Sequence, residues 1–291
     1  MGEFVFALLA AASNAVSVTT RHTASAAGAQ RESGWRLAVA LFRSPLWLLG
    51  WLAQIGAFVF QAIALHVGEL SVVQPLLVTE LVLALVLRRV WLRKSVAAAE
   101  WGGAVMACAG LAVFIAAAEP KGGGPAPAAG HWVVAIIACA AVAIAAAALG
   151  QRGSPARRAA LLGAAAGVTW AIEATFIKET TDTVAEFGLA GMFVRWPVYA
   201  LAVGGAAGVI LEQFALQAGP LRAAQPMMVI IDPITSIALS VWLFGEYFVL
   251  NAAALTTAAV AFCVMCGGVV LLSMGATPPA VPAQAPATTG P

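Results

Sequence analysis

Nine stretches of about 20 mostly apolar residues constrain this chain more than any other feature, because ~20 helical residues span the ~30 Å hydrocarbon core of a bilayer. Backbone polar groups in lipid must be satisfied internally, so the stretches read as transmembrane helices and the fold class as all-α, a polytopic membrane protein. The spans are expected at 3–20, 46–66, 71–89, 97–118, 131–149, 158–177, 195–217, 222–243 and 250–273. Segment 187–200, interrupted by Arg195 and Pro197, reads as a lead-in to the seventh span. Only 10% of the 291 residues are charged, against ~25% in a soluble domain, which speaks against a soluble enzyme. A formal net charge of +2 offers no basic stripe for nucleic acid.

The basic residues sit on one side. Arg21, Arg31, Arg36, Arg43, Arg88, Arg89, Arg93, Lys94, Arg152, Arg157, Arg158 and Arg222 all follow odd-numbered spans. The other side holds Lys121, Lys178 and Arg195 beside Glu69, Glu119, Glu179, Asp182 and Glu186. The positive-inside rule then puts the N-terminus outside and the C-terminus in the cytoplasm, with a bacterial plasma membrane as the expected location. The first span has no basic flank before it, so it reads as a retained helix and not a signal peptide. The expected layout is a first repeat over 1–118 and an external, flexible Gly/Pro linker over 119–130. An extra helix over 131–149, a second repeat over 150–274 and a disordered cytoplasmic tail over 275–291 complete it.

The two halves resemble each other. "QAIALHVGELSVVQP" from Gln61 aligns with "EQFALQAGPLRAAQP" from Glu212 at an offset of 151. Ala64-Leu65, Gly68, Leu70 and Gln74-Pro75 fall on Ala215-Leu216, Gly219, Leu221 and Gln225-Pro226. Spans 1–4 thus match spans 6–9. Equivalent helices are five spans apart, so the copies run in opposite directions across the membrane, an inverted repeat of the kind that supports alternating access.

These features resemble the drug/metabolite transporter superfamily: "ALQAGPLRAAQP" closing the seventh span, Pro233 in the eighth, "LFGE" ending at Glu246, and a Gly-rich last span. The equivalent first-half turn reads "RRVWLRK" in place of glycine-glutamate, and one helix is missing at the front relative to the family's ten. "WLLGWLAQIGAFVFQAIALHVGELSVVQP", from Trp47 to Pro75, is similar to the nine-helix magnesium-transporter-like branch. The resemblance implies a carrier without naming its substrate.

Four acidic residues fall within spans: Glu80, Glu173, Glu212 and Asp232. An ionised carboxylate in hydrocarbon costs about 3 kcal/mol on insertion scales, so each must face a cavity, pair or bind a proton. Asp232 precedes Pro233 and shares a helix face with Gln225. Pro233 removes a backbone donor, which can expose the carbonyl of Val229. The repeat places Glu80 against Ile231, so Glu80 and Asp232 are expected to face one cavity. Trp170, three residues before Glu173, suggests an aromatic wall suited to an organic cation. Asn14, Ser17 and Arg21 make a polar stripe on the first span, and Gln54 and Gln61 another on the second. Arg195 is a candidate partner for Glu173 or Glu179. Trp35, Trp47, Trp51 and Trp91 read as interfacial anchors, and the glycine pairs 163/167 and 204/208 as packing sites. Cys108, Cys139, Cys263 and Cys266 read as small packing residues.

No nucleophile elbow, Walker loop or zinc-protease motif occurs, so no enzyme activity and no cofactor are expected. The leading expectation is a secondary or facilitated transporter of a small polar or cationic metabolite, with possible proton coupling. Its site draws on Asp232, Glu80, Glu173, Glu212, Gln225, Gln74, Trp170 and Asn14. The alternatives are a Mg²⁺ transporter, with Glu80, Asp232, Gln74 and Gln225 around a hydrated ion, and a non-transporting membrane assembly partner. The lipid bilayer is the expected environment, and a homodimer is an open possibility.

Overall fold

A computed structural model describes residues 2–29, 43–91, 93, 95–124, 127–248 and 251–275. The expectations for Trp35, Arg31, Arg36, Lys94 and the tail beyond Gly275 lie outside these residues. The chain is helical apart from two two-residue strands, and nine described helices are long and apolar enough to cross a membrane.

The first span is α1, Gly2–Ala29, and the second α2, Pro45–Val67. Ser44 caps α2 by accepting from the Trp47 N–H, and Pro45 takes the first helical position, where its missing donor costs nothing. The third span is two helices, α3 (Leu70–Leu77) and α4 (Thr79–Val90). Then come α5 (Ala98–Ala118), strand β1 (Pro120–Lys121), α6 (Ala129–Gly150) and α7 (Pro155–Met192). The chain ends through α8 (Pro197–Ala218), α9 (Leu221–Phe244), β2 (Tyr247–Phe248) and α10 (Ala252–Gly275).

α1 packs along α2, and α7 along α8; α3 and α4 lie against α1, as α9 lies against α7. α3 meets α9, and α5 runs against α10. α6 rests on the outside of α7. Two glycines show why small residues line these seams. A Cβ on Gly103 would sit 2.8 Å from the Gly268 carbonyl, and one on Gly167 would sit 2.7 Å from that of Met228. Outward faces stay apolar: Leu52 and Ile55 on α2, Ile144 on α6 and Val203 on α8 are exposed, as lipid contact requires.

The α2–α3 and α8–α9 junctions follow the same path. α2 ends on extended Gly68 and α3 starts after extended Glu69; α8 ends on extended Gly219 and α9 starts after extended Pro220.

Several expectations need correction. The third span runs from Leu70 to Val90 as expected but is not uniformly α-helical: at Val78, itself in the right-handed helical region, it tightens through i→i+3 bonds from Val78 N–H to the Pro75 carbonyl (3.1 Å) and from Leu81 N–H to the Val78 carbonyl (3.2 Å). The eighth span, where Pro233 suggested a break, runs as the single helix α9 through both Pro226 and Pro233. The sixth span is far longer than 158–177. α7 continues until Gly188, whose φ of 72° only glycine adopts readily, and the seventh starts at Pro197 after a turn. Gly275 closes α10 and is not part of a tail. The described part of the linker is pinned: β1 pairs antiparallel with β2, and Gly124 N–H donates to the Phe244 carbonyl at 2.9 Å.

Candidate functional site

Polar side chains from six helices meet inside the bundle. On α1, the Asn14 amide donates to the Glu80 carboxylate at the start of α4. One and two turns further along α1, Ser17 Oγ (3.1 Å) and Arg21 Nη2 (2.8 Å) both donate to Gln54 Oε1 on α2. The Arg21 guanidinium lies 5.2 Å from the centre of the Trp51 ring, in a space that a side chain on Gly50 would fill. On α9, Ser236 Oγ donates to Asp232 Oδ1 at 3.1 Å. On α7, the Trp170 ring packs against Gly208 of α8.

Glycines on α8 admit these groups. The Trp170 ring lies against Gly208, and Glu173 Oε1 against Gly205. The expected packing role of the 204/208 pair is thus specific: α8 gives up side chains where α7 presents a ring and a carboxylate.

Three of the four intramembrane carboxylates are placed by direct contacts: Glu80 by Asn14, Asp232 by Ser236, and Glu173 against Gly205. Glu80 and Asp232 are both half-buried on their helices. Glu80 sits in the first turn after the tightened turn at Val78. Four carboxylates and one guanidinium thus lie within the spans, and carboxylates there call for countercharge or protons.

Of the expected site residues, the structure joins Asn14 to Glu80 and sets Trp170 and Glu173 against glycines of α8. It leaves two candidates aside. Gln225 is half-buried, and no described hydrogen bond joins it to Asp232. Gln74 is buried on α3, and its amide nitrogen has no partner among the described residues. Arg195 does not pair with Glu173 or Glu179; its guanidinium lies 3.6 Å from the Phe187 ring centre. No group of three or more His, Cys, Asp or Glu able to hold a metal ion occurs among the described residues.

A second polar region closes the end of the bundle that carries the linker. Glu246, 2% exposed, accepts from Leu70 N–H (2.8 Å), Ser71 N–H (3.0 Å) and Ser71 Oγ (2.6 Å), capping the start of α3. Lys178 Nζ donates to the carbonyls of Leu65 (2.6 Å) and Gly68 (3.1 Å), capping the end of α2. Just outside lies a cavity of about 560 Å³ lined by His66, Glu69, Lys178, Asp182, Glu186 and Arg195, among others. Sequence reasoning placed Lys178 in a loop and saw Glu246 only as part of a glycine-glutamate turn. The available signal was that turn, an acid following a helix-ending glycine.

No family model matches the chain, and no solved structure matches it. The chain is 27% identical over 237 residues to an uncharacterized protein of Corynebacterium glutamicum, covering 81% of this chain and 82% of that protein.

Proposed function

We propose that the protein is a membrane carrier, secondary or facilitated, that moves a small cationic or polar metabolite by alternating access. One observation carries this reading: within the membrane-spanning helices, carboxylates on α4 and α9 and a guanidinium on α1 are held by Asn14, Ser236 and Gln54, with further carboxylates on α7 and α8. Burying that much like charge is costly, and a transported cation or proton is a physical reason to keep it. The inverted repeat belongs to the same proposal. Its support is the internal sequence match, the paired packing of α1 with α2 and α7 with α8, and the matching glycine junctions at Gly68 and Gly219. Membership of the drug/metabolite transporter superfamily, an outside N-terminus and a bacterial plasma membrane complete the reading.

Purified protein in liposomes, given a pH gradient and a panel of small amines, amino acids and neutral polar metabolites, should show counterflow of at least one cation. Folded protein that moves nothing would overturn the proposal. Mg²⁺ flux in the same vesicles would instead favour a hydrated-ion carrier.

A further inference from the structure

The two ends of the bundle differ in which ties between the sequence halves are made. At the linker end, Lys178 on α7 holds the last carbonyls of α2, and Glu246 holds the first amides of α3. His66 Nδ1 and Asp182 Oδ1 meet at 2.6 Å, and β1 pairs with β2. α2 also packs on α7 there.

At the arginine-rich end the counterpart ties are unmade. α1 and α8 share no packed interface among the described residues. Arg21 feels the charge of Glu212 without forming an ion pair with it, and its buried Nε has no partner among the described residues. No described side chain donates to the carbonyls of Leu216 or Gly219 at the end of α8.

The repeat makes these ends equivalent. The offset of 151 that carries Leu65 and Gly68 onto Leu216 and Gly219 also carries Gln54 onto Gly205. Gln54 receives Ser17, and Gly205 lies under Glu173. Matching Ser17 to Glu173 moves Arg21 onto Ile177, one residue from Lys178. Lys178 donates to the carbonyls of Leu65 and Gly68 at the first-half junction, and Arg21 falls one residue from the matching position in the repeat.

We propose that Lys178 and Arg21 are the two latches of the carrier cycle. Lys178 shuts the linker end in the present conformation. Arg21 shuts the arginine-rich end in the opposite one, leaving Gln54 for Glu212 and the terminal carbonyls of α8. A helix C-terminus carries partial negative charge and orphan carbonyls, so a cation moving onto it gains charge-assisted hydrogen bonds. Gln54 and the Trp51 ring hold Arg21 while that site is out of reach. The proposal rests on the alternating-access reading above.

Spin labels on Val67 and Glu186 report the linker end, and labels on Leu48 and Gln217 the arginine-rich end. Pulsed dipolar distances would be measured in lipid nanodiscs, with the four cysteines replaced and no substrate added. Lys178→Met should raise the long-distance population at the linker end about tenfold or more and create a shorter one at the other end. Adding Arg21→Met should abolish that shorter population. Lys178→Arg and Arg21→Lys keep a donor and should restore the parent distributions, which separates latch loss from misfolding. Unchanged linker-end distances in Lys178→Met, or a short arginine-end population that survives Arg21→Met, overturns the proposal. Flux without distance changes sinks the latches alone, and distance changes without flux of any solute sink the carrier reading alone.

Discussion

Asp232 is joined to its neighbours in two ways, by the Ser236 hydroxyl and by the charges of Glu80 and Glu173. Asn keeps its volume and its hydrogen-bonding capacity to Ser236 but removes the charge. Asp232→Asn should therefore insert and fold normally while transport falls about tenfold or more, measured as initial flux per folded molecule in liposomes. If the residue only carries a coupling proton, exchange survives and pH-gradient drive is lost. Unchanged flux and unchanged pH response would remove Asp232 from the mechanism. Glu246 calls for the opposite behaviour. Its carboxylate receives three donors in a buried site, and an amide reproduces neither the charge nor both acceptors. Glu246→Gln should cost about 2–3 kcal/mol, seen as a lower melting temperature in detergent. An unchanged melt would show that the cap is dispensable.

At the scale of elements, the seams are set by backbone approach. Gly167 faces the Met228 carbonyl of α9 at a distance that no side chain tolerates, whereas a Cβ on Gly102 would meet only Leu271 Cδ2, at 3.9 Å. Gly167→Val should force α7 from α9 at a cost of about 3 kcal/mol or more and depress the yield of monodisperse protein. Gly102→Ala should be silent in the same assay. Equal behaviour of the two variants would contradict the close-packed seam. The third span shows how an element escapes sequence reading. Residues 71–89 are uniformly apolar apart from Ser71, Gln74, Thr79, Glu80, Arg88 and Arg89, and nothing local marks Val78 as a tightened turn. Pro233 looks like the stronger breaker, yet α9 absorbs it.

For the whole molecule, the charge bias makes a topological prediction. With the native cysteines replaced, a membrane-impermeant thiol reagent applied to intact cells should label a cysteine at Gly123 and spare one at Arg152. The reverse pattern would invert the orientation. Spans, their alternation, the internal match and the four buried acids are all legible in the chain, because a bilayer's thickness and the cost of charge in lipid act on residues one at a time. Glu80 and Asp232 were expected to face one cavity on the strength of the repeat offset, and each is held by a separate neighbour, Asn14 and Ser236. What only tertiary structure decided is partnership across the halves. Lys178 reaches 113 residues back to Leu65, and Glu246 reaches 176 back to Leu70. Such pairs depend on which helix ends come together in space, and that is set by backbone approach at glycine seams, where no local pattern of hydropathy or charge records the partner.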